Sequence, residues 1–134
     1  MEGAKQIGYR TISIAGVRDP IFIENIENII KQVRVRVEEN LSSANKNHTL
    51  DFIIYGKNGV MGNLEPIQST KSHEVGIIID VVAETQEQAN TLCSVARSTL
   101  LHHGYQGRIS TGGNVAFPYS PSDIKVGAVY QFSI

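Results

Sequence analysis

The residues able to do chemistry sit in a few polar stretches between apolar ones. The first is Gly16-Val17-Arg18-Asp19-Pro20. Asp19 before Pro20 has the pattern of a helix cap followed by proline at the first helical position. Arg18 beside it either pairs with a carboxylate or clamps an anion above the new helix. The second is Gly56-Lys57-Asn58-Gly59-Val60-Met61-Gly62, with three glycines in seven residues and Asn58-Gly59 as a turn dipeptide. It lacks the GxxxxGK[ST] spacing of a P-loop, because its lysine comes early. Glycine-rich backbone still forms anion-cradling nests, so Lys57 and Asn58 are candidate ligand residues, with Glu65 a pairing partner for Lys57. His73 and Glu74 stand at the start of an apolar run, where neighbours on a strand point to opposite faces. The richest polar stretch is Thr111-Gly112-Gly113-Asn114 and then Phe117-Pro118-Tyr119-Ser120-Pro121-Ser122-Asp123, where Asn114, Ser120, Ser122 and Asp123 offer donors and acceptors beside two aromatic rings. If a pocket forms there, Arg108, Asn114 and Asp123 line it. Its structural alternative is a proline-rich connection whose short polar side chains bond local backbone.

Other chemistries are thinly supported. Cys93 falls on an apolar helical stripe and reads as a small buried hydrophobe, with Arg97 four residues on. His102 and His103 suit a helix C-terminus. No GxSxG elbow, HExxH or CxxC spacing occurs, so no nucleophile elbow and no metal are expected. No cofactor is expected either. An enzymatic reading would use Arg18, Lys57 or Arg108 to hold a carboxylate or phosphate, with His73 or Asp123 as base.

These loops need elements to hold them. Ile7 to Ala15 reads as a strand, with Arg10, Ile12 and Ile14 on one parity and Tyr9, Thr11 and Ser13 on the other. Ile23, Ile26, Ile30, Val33, Val37 and Leu41 form one stripe, so a helix is expected from about Pro20 to Asn40. Residues 41–48 read as a loop, His48 to Tyr55 as the second strand, and Gly56 to Ser72 as a long shaped connection. Gly76 to Ala83 is the third strand. Thr85 and Gln88 have capping-box spacing for a helix reaching about His103, with Ala89, Leu92, Cys93, Ala96 and Leu100 inward and Gly104 ending it. Arg108 to Thr111 and Val115 to Phe117 are short strand candidates, Ser120 to Gly127 a loop, and Ala128 to Ile134 the last strand.

The order strand-helix-strand, strand-helix-strand is the ferredoxin-like βαββαβ plan: an α/β (α+β) two-layer sandwich with a mostly antiparallel sheet and two helices on one face. Thr11 and Ser13 are available for the open face, yet the third strand is apolar on both parities. An apolar face that large is expected to be covered by another subunit or domain, or its isoleucines by a lid loop.

Composition agrees with one such domain spanning 1–134. The chain has 134 residues, 41% hydrophobic and 19% charged, with 12 Lys+Arg against 13 Asp+Glu and a net charge of -1. No basic block marks a nucleic-acid partner. No run approaches a bilayer-spanning segment, and residues 1–8 lack the apolar core of a secretory signal. The single cysteine forms no internal disulfide, which fits the cytoplasm. Near-neutral charge leaves self-association unopposed.

Several separated phrases agree in order with a known family. Gly16-Val17-Arg18-Asp19-Pro20, Tyr55-Gly56-Lys57-Asn58-Gly59-Val60-Met61-Gly62, His73-Glu74, Ala96-Arg97-Ser98-Thr99-Leu100-Leu101-His102 and Gly113-Asn114-Val115-Ala116-Phe117-Pro118-Tyr119-Ser120-Pro121-Ser122-Asp123 resemble the C-terminal region of the acyclic terpene utilisation (AtuA-like) proteins. The resemblance covers almost the whole chain. It implies a ferredoxin-like domain that follows a much larger N-terminal domain. It also implies a link to breakdown of acyclic terpenes through CoA thioesters, with no established catalytic set to carry over. On this reading the chain is an excised domain or a natural small subunit. It acts as a non-catalytic accessory domain that assembles with itself or with a larger AtuA-like N-terminal domain or subunit, and shapes an acyl or CoA-type pocket. The alternative is an enzyme with an inter-subunit site for a carboxylate- or phosphate-bearing substrate.

Overall fold

A computed structural model of the chain describes residues 4–41, 47–67, 72–103 and 115–132. Its elements run β1 (Ala4–Val17), α1 (Pro20–Glu24), α2 (Ile26–Glu39), β2 (His48–Tyr55), a 3-10 turn (Gly62–Leu64), β3 (Val75–Ala83), α3 (Gln86–His102), β4 (Val115–Ala116) and β5 (Asp123–Phe132). The sheet is antiparallel in the order β2-β3-β1-β5, with the short β4 also paired to β1. Two helical elements cover one face, as the ferredoxin-like plan requires.

The caps form where the sequence places them. Asp19 accepts from the Ile21 amide at 3.0 Å, and Thr85 Oγ1 accepts from the Gln88 amide at 3.1 Å. The expected single helix from Pro20 to Asn40 is instead two. Asn25 leaves helical geometry at φ -106, ψ 18, and its side-chain amide donates to the Ile21 carbonyl at 3.1 Å. The Asn25 backbone amide still donates to the same carbonyl at 3.2 Å, so Ile21 O takes two donors where the helix bends away. The break still lets Phe22 and Ile23 bury alongside Ile26, Ile29, Ile30, Val33 and Val37.

The core lies between the helices and the odd-numbered residues of β3, which are Val75, Ile77, Ile79, Val81 and Ala83. Antiparallel register carries this parity across the sheet. Leu50, Phe52 and Ile54 of β2 pair with Val81, Ile79 and Ile77, and Thr11, Ser13, Ala15 and Val17 of β1 pair with Val81, Ile79, Ile77 and Val75. Thr11 and Ser13 therefore face the helices and are fully buried, which corrects their expected place on the open face. Hydrogen-bond partners beneath α3, described below, make that burial tolerable. Ile12 and Ile14 take the open face instead.

Two boundaries also move. β1 is longer than Ile7 to Ala15. Its residues 4–8 run beyond β3 and pair only with β5 among the described residues. The last strand starts at Asp123 rather than Ala128, so most of the expected Ser120 to Gly127 loop is strand. The expected strand Arg108 to Thr111 and helix stop Gly104 lie outside the described residues, as does most of the loop 41–48.

Gly8 and Gly16 make opposite predictions. Gly8 has φ +154, and a Cβ there would meet the Ala83 carbonyl oxygen at 2.5 Å. Gly8→Ala is expected to lower stability by about 1–3 kcal/mol in chemical denaturation, through strain at the β1–β3 crossing. Gly16→Ala meets nothing within 4 Å and is expected to leave the denaturation midpoint nearly unchanged.

Candidate functional site

α3 carries a polar seam beside its apolar stripe: Gln86, Asn90, Ser94 and Arg97 recur at helical spacing and meet β1 and β5. The Thr11 hydroxyl donates to Asn90 Oδ1 at 2.5 Å. Gln86 Nε2 donates to Thr11 Oγ1 at 2.8 Å and to the Arg10 carbonyl at 3.0 Å. Ser13 donates to the Ser122 carbonyl at 2.8 Å, which pins the approach to β5 against β1.

Asp123 opens β5 at the far end of this seam. Arg97 Nε donates to its Oδ1 at 2.8 Å, and Arg97 Nη2 donates to its Oδ2 at 3.4 Å and to Ser94 Oγ at 3.1 Å. Both side chains are about three-quarters covered. The fork-on-carboxylate geometry is the strong form of this contact. It raises the Arg97 pKa, chiefly through the Asp123 hydrogen bond and against the effect of burial. The Cys93 thiol lies 3.9 Å from Asp123 Oδ1. Burial first, and the Asp123 charge second, push its pKa from 9.0 up to about 12. A thiol so raised stays protonated at neutral pH and is a poor nucleophile.

The other candidates lie elsewhere. Arg18 and Glu74 line a cleft of about 440 Å³ at the end of the sheet, floored by Gly16 and Gly76, which pair directly, and walled by Ala116 and Pro118. His73, next to Glu74, is exposed. Lys57 and Asn58 line a separate cleft of about 650 Å³ with Glu27 and Lys31 of α2. The expected pairing of Lys57 with Glu65 gives way to Glu27, at 3.8 Å. Ser120 is exposed in the bend before β5. Arg108 and Asn114 lie outside the described residues. Of the six candidates among the described residues, Lys57 and Asn58 share a cleft, while Asp123 is held by Arg97. His103 is buried, its Nε2 at 2.9 Å from Gln32 Oε1. Among the described residues no three His, Cys, Asp or Glu side chains gather as a metal site, and no helix is long and apolar enough to cross a membrane.

The Gln86–Asn90–Thr11 network escapes sequence reasoning, although the four-residue step between Gln86 and Asn90 is its visible trace. Comparison with known proteins adds no name: no family model, curated protein or solved structure matches the chain.

Two outcomes follow from this seam. Asp123→Asn leaves a mostly covered guanidinium without its carboxylate, and is expected to destabilise the fold by about 2 kcal/mol; a double-mutant cycle with Arg97→Met should recover part of that as coupling energy. For Cys93 the folded pKa is raised, so its stabilising contribution is complete below pH 9 and is lost as pH climbs from 9.0 toward about 12. Stability of the wild type should therefore fall more steeply than that of Cys93→Ala across that window, read by denaturant titration at stepped pH.

Proposed function

We propose that the chain is a non-catalytic accessory or small-subunit domain of AtuA-like type, working in the cytoplasm, whose open sheet face packs against another protein surface. The observation that carries this reading is the composition of that face. Ile53, Ile78 and Ile14 stand in one cross-strand row, and Ile12 and Ile124 pair in the next. No described helix lies over them. Among the described residues Arg10 and Asp80, joined at 2.8 Å, and the exposed Asp51 and Thr49 interrupt the apolar surface. Contiguous apolar patches of this kind mark protein interaction sites in soluble chains.

The occupant is a second copy of the chain or the larger AtuA-like N-terminal region. The near-zero net charge of -1 supports the first, and the family resemblance supports the second. A ligand site between subunits is the second reading. It is favoured by the cleft that takes in Ile14, Gly16 and Gly76 from this face and carries Arg18 and Glu74 at its mouth.

Light scattering across a dilution series, with and without any large protein encoded beside this chain, tests the proposal. A stable oligomer or a tight complex is expected, and Ile78→Ser with Ile53→Ser should weaken it while far-UV circular dichroism stays unchanged. A chain that is monomeric at high concentration and ignores its neighbour contradicts the proposal.

A further inference from the structure

The cleft between α2 and the chain leaving β2 has a chemistry of its own, independent of the assembly reading. Its floor is apolar, from Phe52 and Ile54, with Met61 across from them. Its rim carries Lys31, Lys57 and the Asn58 amide, and its one acidic residue is Glu27. Lys57 is four-fifths covered, yet its contact with Glu27 is a long 3.8 Å, and that carboxylate is 69% exposed. Exposed pairs of this length contribute little. Within the lining, two ammonium groups against one carboxylate leave one positive charge beside an apolar wall, and the Arg34 guanidinium lies 5.4 Å from the Phe52 ring centre.

The loop that presents these groups is preformed. Asn58 adopts the left-handed conformation at φ 61, and the Lys57 amide donates to the Ile54 carbonyl at 3.3 Å. The Gly62 amide donates to the Asn58 carbonyl at 2.9 Å. Gly59 packs so closely that a Cβ there would meet the Ile54 carbonyl oxygen at 2.5 Å. Such a loop does not need to be ordered when a ligand arrives, which favours binding.

We infer that this cleft binds an amphipathic monoanion: a carboxylate on an aliphatic chain, with the head group at Lys57, Lys31 and Asn58 and the tail over Phe52, Ile54 and Met61. The cleft volume of about 650 Å³ lies within the range of small-molecule sites. One surplus charge suits a carboxylate better than a phosphate dianion, which draws on several charged donors.

The test is a titration of the isotope-labelled chain with decanoate, below its micelle concentration, followed by amide chemical shifts. Saturable shifts confined to residues 27–31 and 52–63 are expected. Lys57→Gln and Lys31→Gln should each weaken binding, the first by roughly tenfold or more, with unchanged melting temperatures. Should Lys57→Gln fail to fold, Lys31→Gln, at an exposed position on α2, carries the same test. Lys125→Gln, on β5 and outside the cleft, should change nothing. Shifts that never saturate or that map to the open sheet face would overturn the inference, as would equal affinity in both lysine variants. Decanol binding as tightly as decanoate would show an apolar groove without a charge requirement, and inorganic phosphate binding as tightly would show an anion site without a tail; either result also overturns it.

Discussion

The register of β1 against β3 is the constraint on which the rest depends. Because side chains alternate along a strand, pairing Ser13 with Ile79 decides in one stroke which residues of β1, β2 and β3 meet the helices. A one-residue slip would send Ile77 and Ile79 outward and bring Asp80 into the core. Gly8 helps hold this register at the β1–β3 crossing, where the Ala83 carbonyl leaves no room for a side chain. The price of the correct register is two hydroxyls in the core, Thr11 and Ser13. It also leaves Ile12, Ile14, Ile53 and Ile78 on the side without helices.

The polar seam of α3 answers the first consequence. Gln86 and Asn90 satisfy Thr11, and the Ser122 carbonyl satisfies Ser13. Arg97 grips Asp123 just where β5 begins, so the seam also ties the edge strand to the helix layer. Apart from Gln86 Oε1, a buried acceptor with no partner among the described residues, these groups are taken up by one another, which is the behaviour of a structural network rather than of a site waiting for substrate. Among the described residues the cleft with surplus charge in its lining is the one around Lys57 and Lys31, while Arg18 shares its cleft with Glu74. Assembly through the bare sheet face is the proposed answer to the second consequence.

Much of the architecture was legible in the residues. The caps at Asp19 and Thr85, the stripe from Ile23 to Val37 and the apolar run of β3 announced their elements through local chemistry and period. The parity of β1 was not legible, because hydrophobicity argued for burying Ile12 and Ile14. The deciding partners, Gln86 and Asn90, are more than seventy residues away in sequence. The break at Asn25 is a single residue at φ -106, ψ 18, accompanied by a side-chain bond to Ile21, a local departure that periodicity averages away. The partner of Asp123 is hidden for the same reason: the sequence sets Arg97 one turn from Cys93, but nothing local brings β5 to it. Lys57 and Asn58 were visible as a loop. Their apolar floor emerges only when β2 and α2 are placed side by side.

The central claim is that the open face of the sheet is an interface, and β3 carries its own control. Methyl NMR of the isoleucine-labelled chain in its assembled state, with a soluble paramagnetic agent added, compares Ile78 on the open face with Ile77 and Ile79 in the core. The Ile78, Ile14 and Ile53 methyls are expected to be shielded nearly as well as those of Ile77 and Ile79, and to lose that shielding when the assembly is diluted apart. Methyls of Ile78, Ile14 and Ile53 that are bleached at every concentration, with or without the large neighbour, while Ile77 and Ile79 persist, would contradict it.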